Sequence, residues 1–228
     1  CQRAAFVFRE RQPCPVRSPG FRARRRPGEF QCVHYTSLNM DIFEYTAVLT
    51  SIIIGLGIAH LLRGIAGLIQ HPDKAHLYWV HLLWVGYLFF TLVFWWWWEF
   101  RLGTLEAWTF QIYLFVVFYA FLLFLASALL FPASMEGYAS FRDYFYSRRR
   151  WFFGLIALTY IVDVGDTLIK GQGHLAELGA EYVLTTLLQF ILCVIAMWTR
   201  NERFHGTLAI AMFAYQVSWA LRIFETVS

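Results

Sequence analysis

The sequence predicts an all-α integral membrane bundle of six transmembrane helices, with an interfacial amphipathic helix before the fourth. Three observations predict it. The 228-residue chain is 59% hydrophobic and only 15% charged, whereas soluble domains run about 45–50% apolar and about 25% charged. Its mean hydropathy is +0.50. Six stretches reach the roughly 20 apolar residues that a helix needs to cross a hydrocarbon core of about 30 Å. Together these exclude a soluble globular domain, a disordered chain and a disulfide-rich secreted module.

Residues 1–39 differ from the rest. They hold eight arginines, no lysine, four of the six prolines and three of the four cysteines, and the first methionine is Met40. This segment reads as a basic extension, disordered or translated from upstream of the true start. A basic arm for nucleic acid or anionic lipid is the functional alternative. Residues 40–228 form the transmembrane domain and carry 11 Lys+Arg against 13 Asp+Glu. The basic character of the whole chain therefore gives no reason to expect a nucleic-acid partner.

The spans fall near 43–69, 77–98, 108–131, 151–170, 178–198 and 205–225. Runs such as Leu114 to Leu130 are apolar on every face, which suits helices, since barrel strands are shorter and alternate. In the first span Ser51, Gly55 and Ala59 recur every four residues. Such a small-residue stripe lets another helix approach closely. It serves internal packing or a homo-oligomer. The second span ends in Trp95, Trp96, Trp97 and Trp98, and Trp108 opens the third, as in an interfacial aromatic belt.

Before the fourth span, Tyr138, Phe141, Tyr144 and Phe145 recur at helical spacing over 137–149, followed by Arg148, Arg149 and Arg150. This pattern predicts a helix lying in the headgroup layer, with the arginines meeting anionic lipid. Loops after spans 1, 3 and 5 carry seven Lys/Arg, among them Lys74, against three on the other side. The asymmetry predicts those loops in the cytoplasm and both termini outside.

Polar residues inside the spans are the candidate functional groups, because a charge near the bilayer centre costs about 2.5–3.5 kcal/mol on insertion scales. Span 4 places Thr159, Asp163, Asp166 and Lys170 on one face by steps of 4, 3 and 4. Span 5 repeats Glu181, Thr185, Gln189 and Cys193 every four residues. Span 6 adds Tyr215, Gln216, Ser218 and Arg222. Short loops make these three spans neighbours, so the stripes are expected to converge. Asp163 and Asp166 would handle a proton or cation, supported by Glu181, Gln189 and Arg222. A purely structural network, Asp166 with Lys170 or with Arg222, is the alternative.

Histidines gather at the other end: His60 in span 1, His76 and His81 around the start of span 2, and His205 opening span 6. A facing pair such as His60 and His81 can ligate a b-type haem or a metal. Their spacing is compatible with that but not diagnostic, and no cofactor is expected from it.

The stretch Ile52 to Arg63, followed by Tyr78-Trp79-Val80-His81-Leu82-Leu83-Trp84, resembles small uncharacterised bacterial multi-pass membrane proteins. The resemblance covers the first two spans and implies no function. The chain contains no phosphate-binding loop, zinc-protease helix or nucleophile elbow. The reading is thus a multi-pass protein of a bacterial cytoplasmic membrane. Its leading role is a small proton- or cation-coupled transporter or channel-like protein. A non-catalytic scaffold, sensor or complex subunit comes second, and a haem-binding redox protein third.

Overall fold

A computed structural model describes residues 42–70, 77–105 and 108–226. The expectations for residues 1–39, and for Lys74 and His76 in the first loop, lie outside the described residues. The described chain is helical, with α1 at Ile42–Gln70, α2 at Trp79–Glu99, a 3-10 turn at Phe100–Thr104, α3 at Phe110–Ala128, α4 at Phe141–Ile169, α5 at Gln172–Trp198 and α6 at Glu202–Thr226.

Side-chain caps set three of the starts, one of them at α6, where Asn201 Oδ1 accepts from the Arg203 amide (3.0 Å). Thr109 accepts from the Ile112 amide (3.3 Å) at the head of α3, and Ser140 accepts from the Asp143 amide (3.2 Å) at the head of α4. Each occupies one of the amide groups that an α-helix leaves unpaired in its first turn. The α3–α4 connection turns at Gly137, whose φ of 84° a side chain disfavours.

Five helices are long and apolar enough to cross a membrane: Ile42–Gln70, Trp79–Gly103, Phe110–Ala128, Phe141–Ile169 and Gly173–Trp198. The protein is therefore multi-pass by length and composition. Helix α6 is not among the five; Tyr215, Gln216, Ser218 and Arg222 interrupt its apolar run. Outward faces are as apolar as the interior. Ile52, Leu56, Leu184, Leu187, Leu188 and Ile195 are all exposed, an arrangement suited to lipid as the solvent.

Helix α2 is the hub, packing against α1, α3, α4 and α6. Around it α1 lies on α3, α3 on α4, and α5 on both α4 and α6. Trp84 is fully buried on α2, with Phe152 and Phe153 of α4 edge-on to it at 5.4 and 5.1 Å. Such offset aromatic contacts add to the packing of a core that water never enters.

The expected interfacial helix over 137–149 is not a separate element. Residues from Phe141 onward are the first turns of α4, which continues unbroken to Ile169. Phe141, Tyr144 and Phe145 point inward, with Phe141 against Phe131 and Tyr144 donating to the Leu129 carbonyl (2.9 Å). Arg149 is also turned inward and donates to the Tyr146 carbonyl (2.8 Å), which leaves Arg148 and Arg150 on the surface. The guanidinium of Arg150 stacks over Trp198 at 4.9 Å.

Internal packing is not the use of the Ser51, Gly55 and Ala59 stripe. All three residues are exposed, and a Cβ on Gly55 would meet nothing within 4 Å. The glycines that bring helices together are Gly57, against Leu92 and Ser127, and Gly64, against the Phe131 ring. A methyl group on Gly64 collides with that buried ring. Gly64→Ala is expected to lower stability by about 1–3 kcal/mol, the usual range for overpacking. Gly55→Ala is expected to be neutral or slightly stabilising. Thermal unfolding of the two variants in detergent checks this pair.

Candidate functional site

A cavity of about 210 Å³ opens between α2, α3, α4, α5 and α6. It occupies the end of the bundle where α2 and α4 finish and α5 begins. Its floor is set by Tyr87 on α2 and by Thr159 and Tyr160 on α4, with the Tyr87 and Tyr160 hydroxyls 2.8 Å apart. One turn further along α2, and two along α4, lies the Trp84, Phe152 and Phe153 packing.

Helix geometry explains which predicted residues reach it. At about 100° per residue, steps of 4, 3 and 4 return to within about 20° of the start. Thr159, Asp163, Asp166 and Lys170 accordingly all line the cavity. Successive steps of four drift by about 40° each. On α5, at the edge of the bundle, that drift carries the stripe from exposed Glu181 through Thr185 and Gln189, which line the cavity, to fully buried Cys193.

The charged centre combines α4 with α2. Lys170 Nζ lies 2.5 Å from Asp166 Oδ2 and 3.4 Å from Glu99 Oε1. The three side chains are only 3–6% exposed. The second oxygen of each acid, Glu99 Oε2 and Asp166 Oδ1, is buried without a hydrogen-bond partner. Asp163 sits one turn deeper. Tyr119 donates to its Oδ1 (3.1 Å) and Tyr182 to its Oδ2 (2.7 Å). Tyr182 has one proton to give, so Thr167, 2.9 Å away, donates to it in turn.

Sequence reasoning missed Glu99. It closed the second span at Trp98 and assigned the tryptophans to a lipid-facing belt. Tyr87, Thr91, Trp95 and Glu99 are spaced by four, the same signal that marked α5, and all four line the cavity. Trp95 is 5% exposed and packs edge-on to Tyr119 at 5.5 Å, so this ring faces the site and not the bilayer.

Glu181 and Arg222 stand apart from the aspartates. They pair with each other at the surface, Arg222 donating to both Glu181 oxygens at 2.7 and 3.1 Å, with side chains 49% and 46% exposed. Tyr215 links them inward by donating to Thr185 (3.1 Å). The alternative pairing of Asp166 with Arg222 is therefore replaced by Asp166 with Lys170.

A short cover lies over the mouth. Backbone conformations that only glycine adopts readily occur at Gly171 (φ 102°, ψ 162°) and Gly179 (φ 69°, ψ −173°). Between them runs a helical segment, 172–178, whose His174 and Leu178 line the cavity. Arg101, from the turn after α2, donates to Glu177 Oε2 (2.8 Å) and to His174 Nδ1 (3.2 Å).

The histidines at the far end form a different structure. His81 donates from Nε2 to the Leu130 carbonyl (2.6 Å) and stacks on Phe141 at 5.2 Å. His60 and His81 both touch the Phe131 ring, at 6.4 and 5.1 Å. His205 is enclosed by Phe145, Tyr146, Phe153 and Phe204, with Nε2 bonded to the Thr199 carbonyl (3.1 Å). His60 Nε2 is buried without a hydrogen-bond partner, whereas His81 Nε2 is taken by the Leu130 carbonyl.

Compared with known protein families, curated proteins and solved structures, the chain has no match.

Lys170 is expected to be essential to the fold as well as to the site. Lys170→Met leaves two acids buried beside each other and is expected to cost about 3–5 kcal/mol, as breaking buried ion pairs does. Adding Glu99→Gln is expected to recover part of that loss. Arg222→Met, at the surface, is expected to leave the melting temperature nearly unchanged. Thermal melts of the three variants in one detergent are the check.

Proposed function

We propose that the protein is a six-span transporter or channel-like protein that handles a proton or small cation at Glu99, Asp163, Asp166 and Lys170. The observation that carries this reading is a charge imbalance. Three acids share the cavity with one lysine, and two carboxylate oxygens have no partner. Fully ionised, the group would hold two uncompensated negative charges. Each buried ion costs several kcal/mol without a partner. Protons or a bound cation must supply the balance, and exchanging them is what a transport site does.

In this reading α6 is the sixth span. It lies along α2 with Leu208, Ala209 and Met212 buried, and its polar residues sit where the cavity and the Glu181–Arg222 pair accommodate them. The lysine and arginine asymmetry puts the cavity mouth outside a bacterial cytoplasmic membrane, with both termini on that side. The 172–178 segment acts as the outer gate, since its two glycine ends can absorb large backbone changes and the Arg101–Glu177 pair holds it down. The Trp84, Phe152 and Phe153 packing is the inner barrier. A scaffold or subunit role draws no comparable support, because it gives no reason for buried unpaired carboxylates.

The full chain in proteoliposomes is expected to dissipate imposed proton or cation gradients. Asp163→Asn is expected to slow this by roughly tenfold or more, as loss of an intramembrane carboxyl does in proton relays. Glu181→Gln should change it little. Unchanged flux in a folded, inserted Asp163→Asn protein would refute the assignment, as would absence of flux in the wild type. Separately, a disulfide between Arg101→Cys and Glu177→Cys is expected to slow flux reversibly, with recovery on reduction.

A further inference from the structure

The structure points to a substrate class for this cavity: we propose that it binds a small protonated organic amine. The proposal rests on the transport reading for its physiological sense, but the binding it describes can be tested alone.

Two observations carry it. The first is the pair of oxygens left over around Lys170. Glu99 and Asp166 each give one oxygen to the lysine, and Glu99 Oε2 and Asp166 Oδ1 remain buried and unbonded. Both residues line the cavity. Carboxylate oxygens in this state take N–H donors that carry positive charge. A protonated amine offers both, whereas a quaternary ammonium offers charge without N–H and a potassium ion offers no hydrogen bond.

The second is the aromatic lining that the carboxylates share. Ten of the 25 lining residues are aromatic and three are aliphatic. Trp95, Trp98, Tyr119, Tyr160, Tyr182 and Trp219 are among them. Aromatic faces attract cations through the ring quadrupole, and they shelter carbon at the same time. Tyr119 and Tyr182 also hold Asp163 by their hydroxyls, which ties the aromatic wall to the acidic one. A bare ion is drawn to the rings but leaves the volume and the shelter for carbon unused. At about 210 Å³ the cavity is smaller than the roughly 300–1,000 Å³ pockets of drug-sized ligands, so the fitting skeleton is short.

The test uses the full chain in nanodiscs at neutral pH, with isothermal titration by propylammonium, tetramethylammonium and potassium. Propylammonium is expected to bind about tenfold more tightly than either of the others, the margin that charge-assisted hydrogen bonds give. Glu99→Gln is expected to weaken it by about tenfold, and Trp95→Leu by about fivefold, from loss of a ring. The wild-type comparison needs no variant, so a folding defect in either variant does not blunt it. Equal binding of tetramethylammonium or potassium overturns the proposal. So does no propylammonium binding, even where Asp163-dependent proton flux keeps the transport reading intact. Selective amine binding in a protein without flux sustains the proposal and overturns transport.

Discussion

Lys170 bridges Glu99 of α2 and Asp166 of α4, and the cavity depends on that bridge. Lys170, Glu99 and Asp166 are almost wholly enclosed by protein, so each charge is tolerable only in the presence of the others. The bridge therefore ties the hub helix to the polar stripe of α4. It also leaves the acids outnumbering the base. A single lysine placed between two carboxylates satisfies one oxygen of each, and the second oxygen of each stays buried without a partner. Structural and functional readings of this cluster are consequently not alternatives: the same contact that holds α2 to α4 creates the unmet demand for positive charge.

The rest of the architecture packs around that cluster. Aromatic packing at Trp84, Phe152 and Phe153 closes the far side, and the Arg101-anchored segment between two glycines covers the near side. The outer faces of α1 and α5 expose many apolar side chains, among them Ile52, Leu56, Leu184 and Leu188. At the opposite end His81 and His205 are held in aromatic clusters by hydrogen bonds to backbone carbonyls.

Much of this was legible in the sequence. Long apolar runs marked six spans, and five of the six described helices are long and apolar enough to cross a membrane. The α4 stripe was legible because its 4-3-4 spacing cancels helical drift, so Asp163 and Asp166 had to share a face. Spacing alone could not show that α2, and not only α5 and α6, supplies the partners of that face. That is a tertiary fact, and it hid Glu99 behind four tryptophans whose neighbours decide whether they meet lipid or a cavity. Glu181 and Arg222 were misplaced for a related reason: on a peripheral helix, four-residue steps rotate a stripe out of the interior. The continuity of α4 was hidden too, since Phe141, Tyr144 and Phe145 look the same in sequence whether their rings enter headgroups or the core.

The central claim is that the acids around Lys170 cannot all be ionised unless a cation is bound. Infrared difference spectroscopy of the ligand-free protein in lipid tests it most directly, because protonated carboxyl groups have a carbonyl stretch separate from that of carboxylates. The account predicts a protonated-carboxyl band in the wild type that is lost or altered when Glu99, Asp163 or Asp166 is replaced by its amide. A ligand-free protein with no such band, and no bound cation by elemental analysis, would show the three acids ionised together and contradict the account.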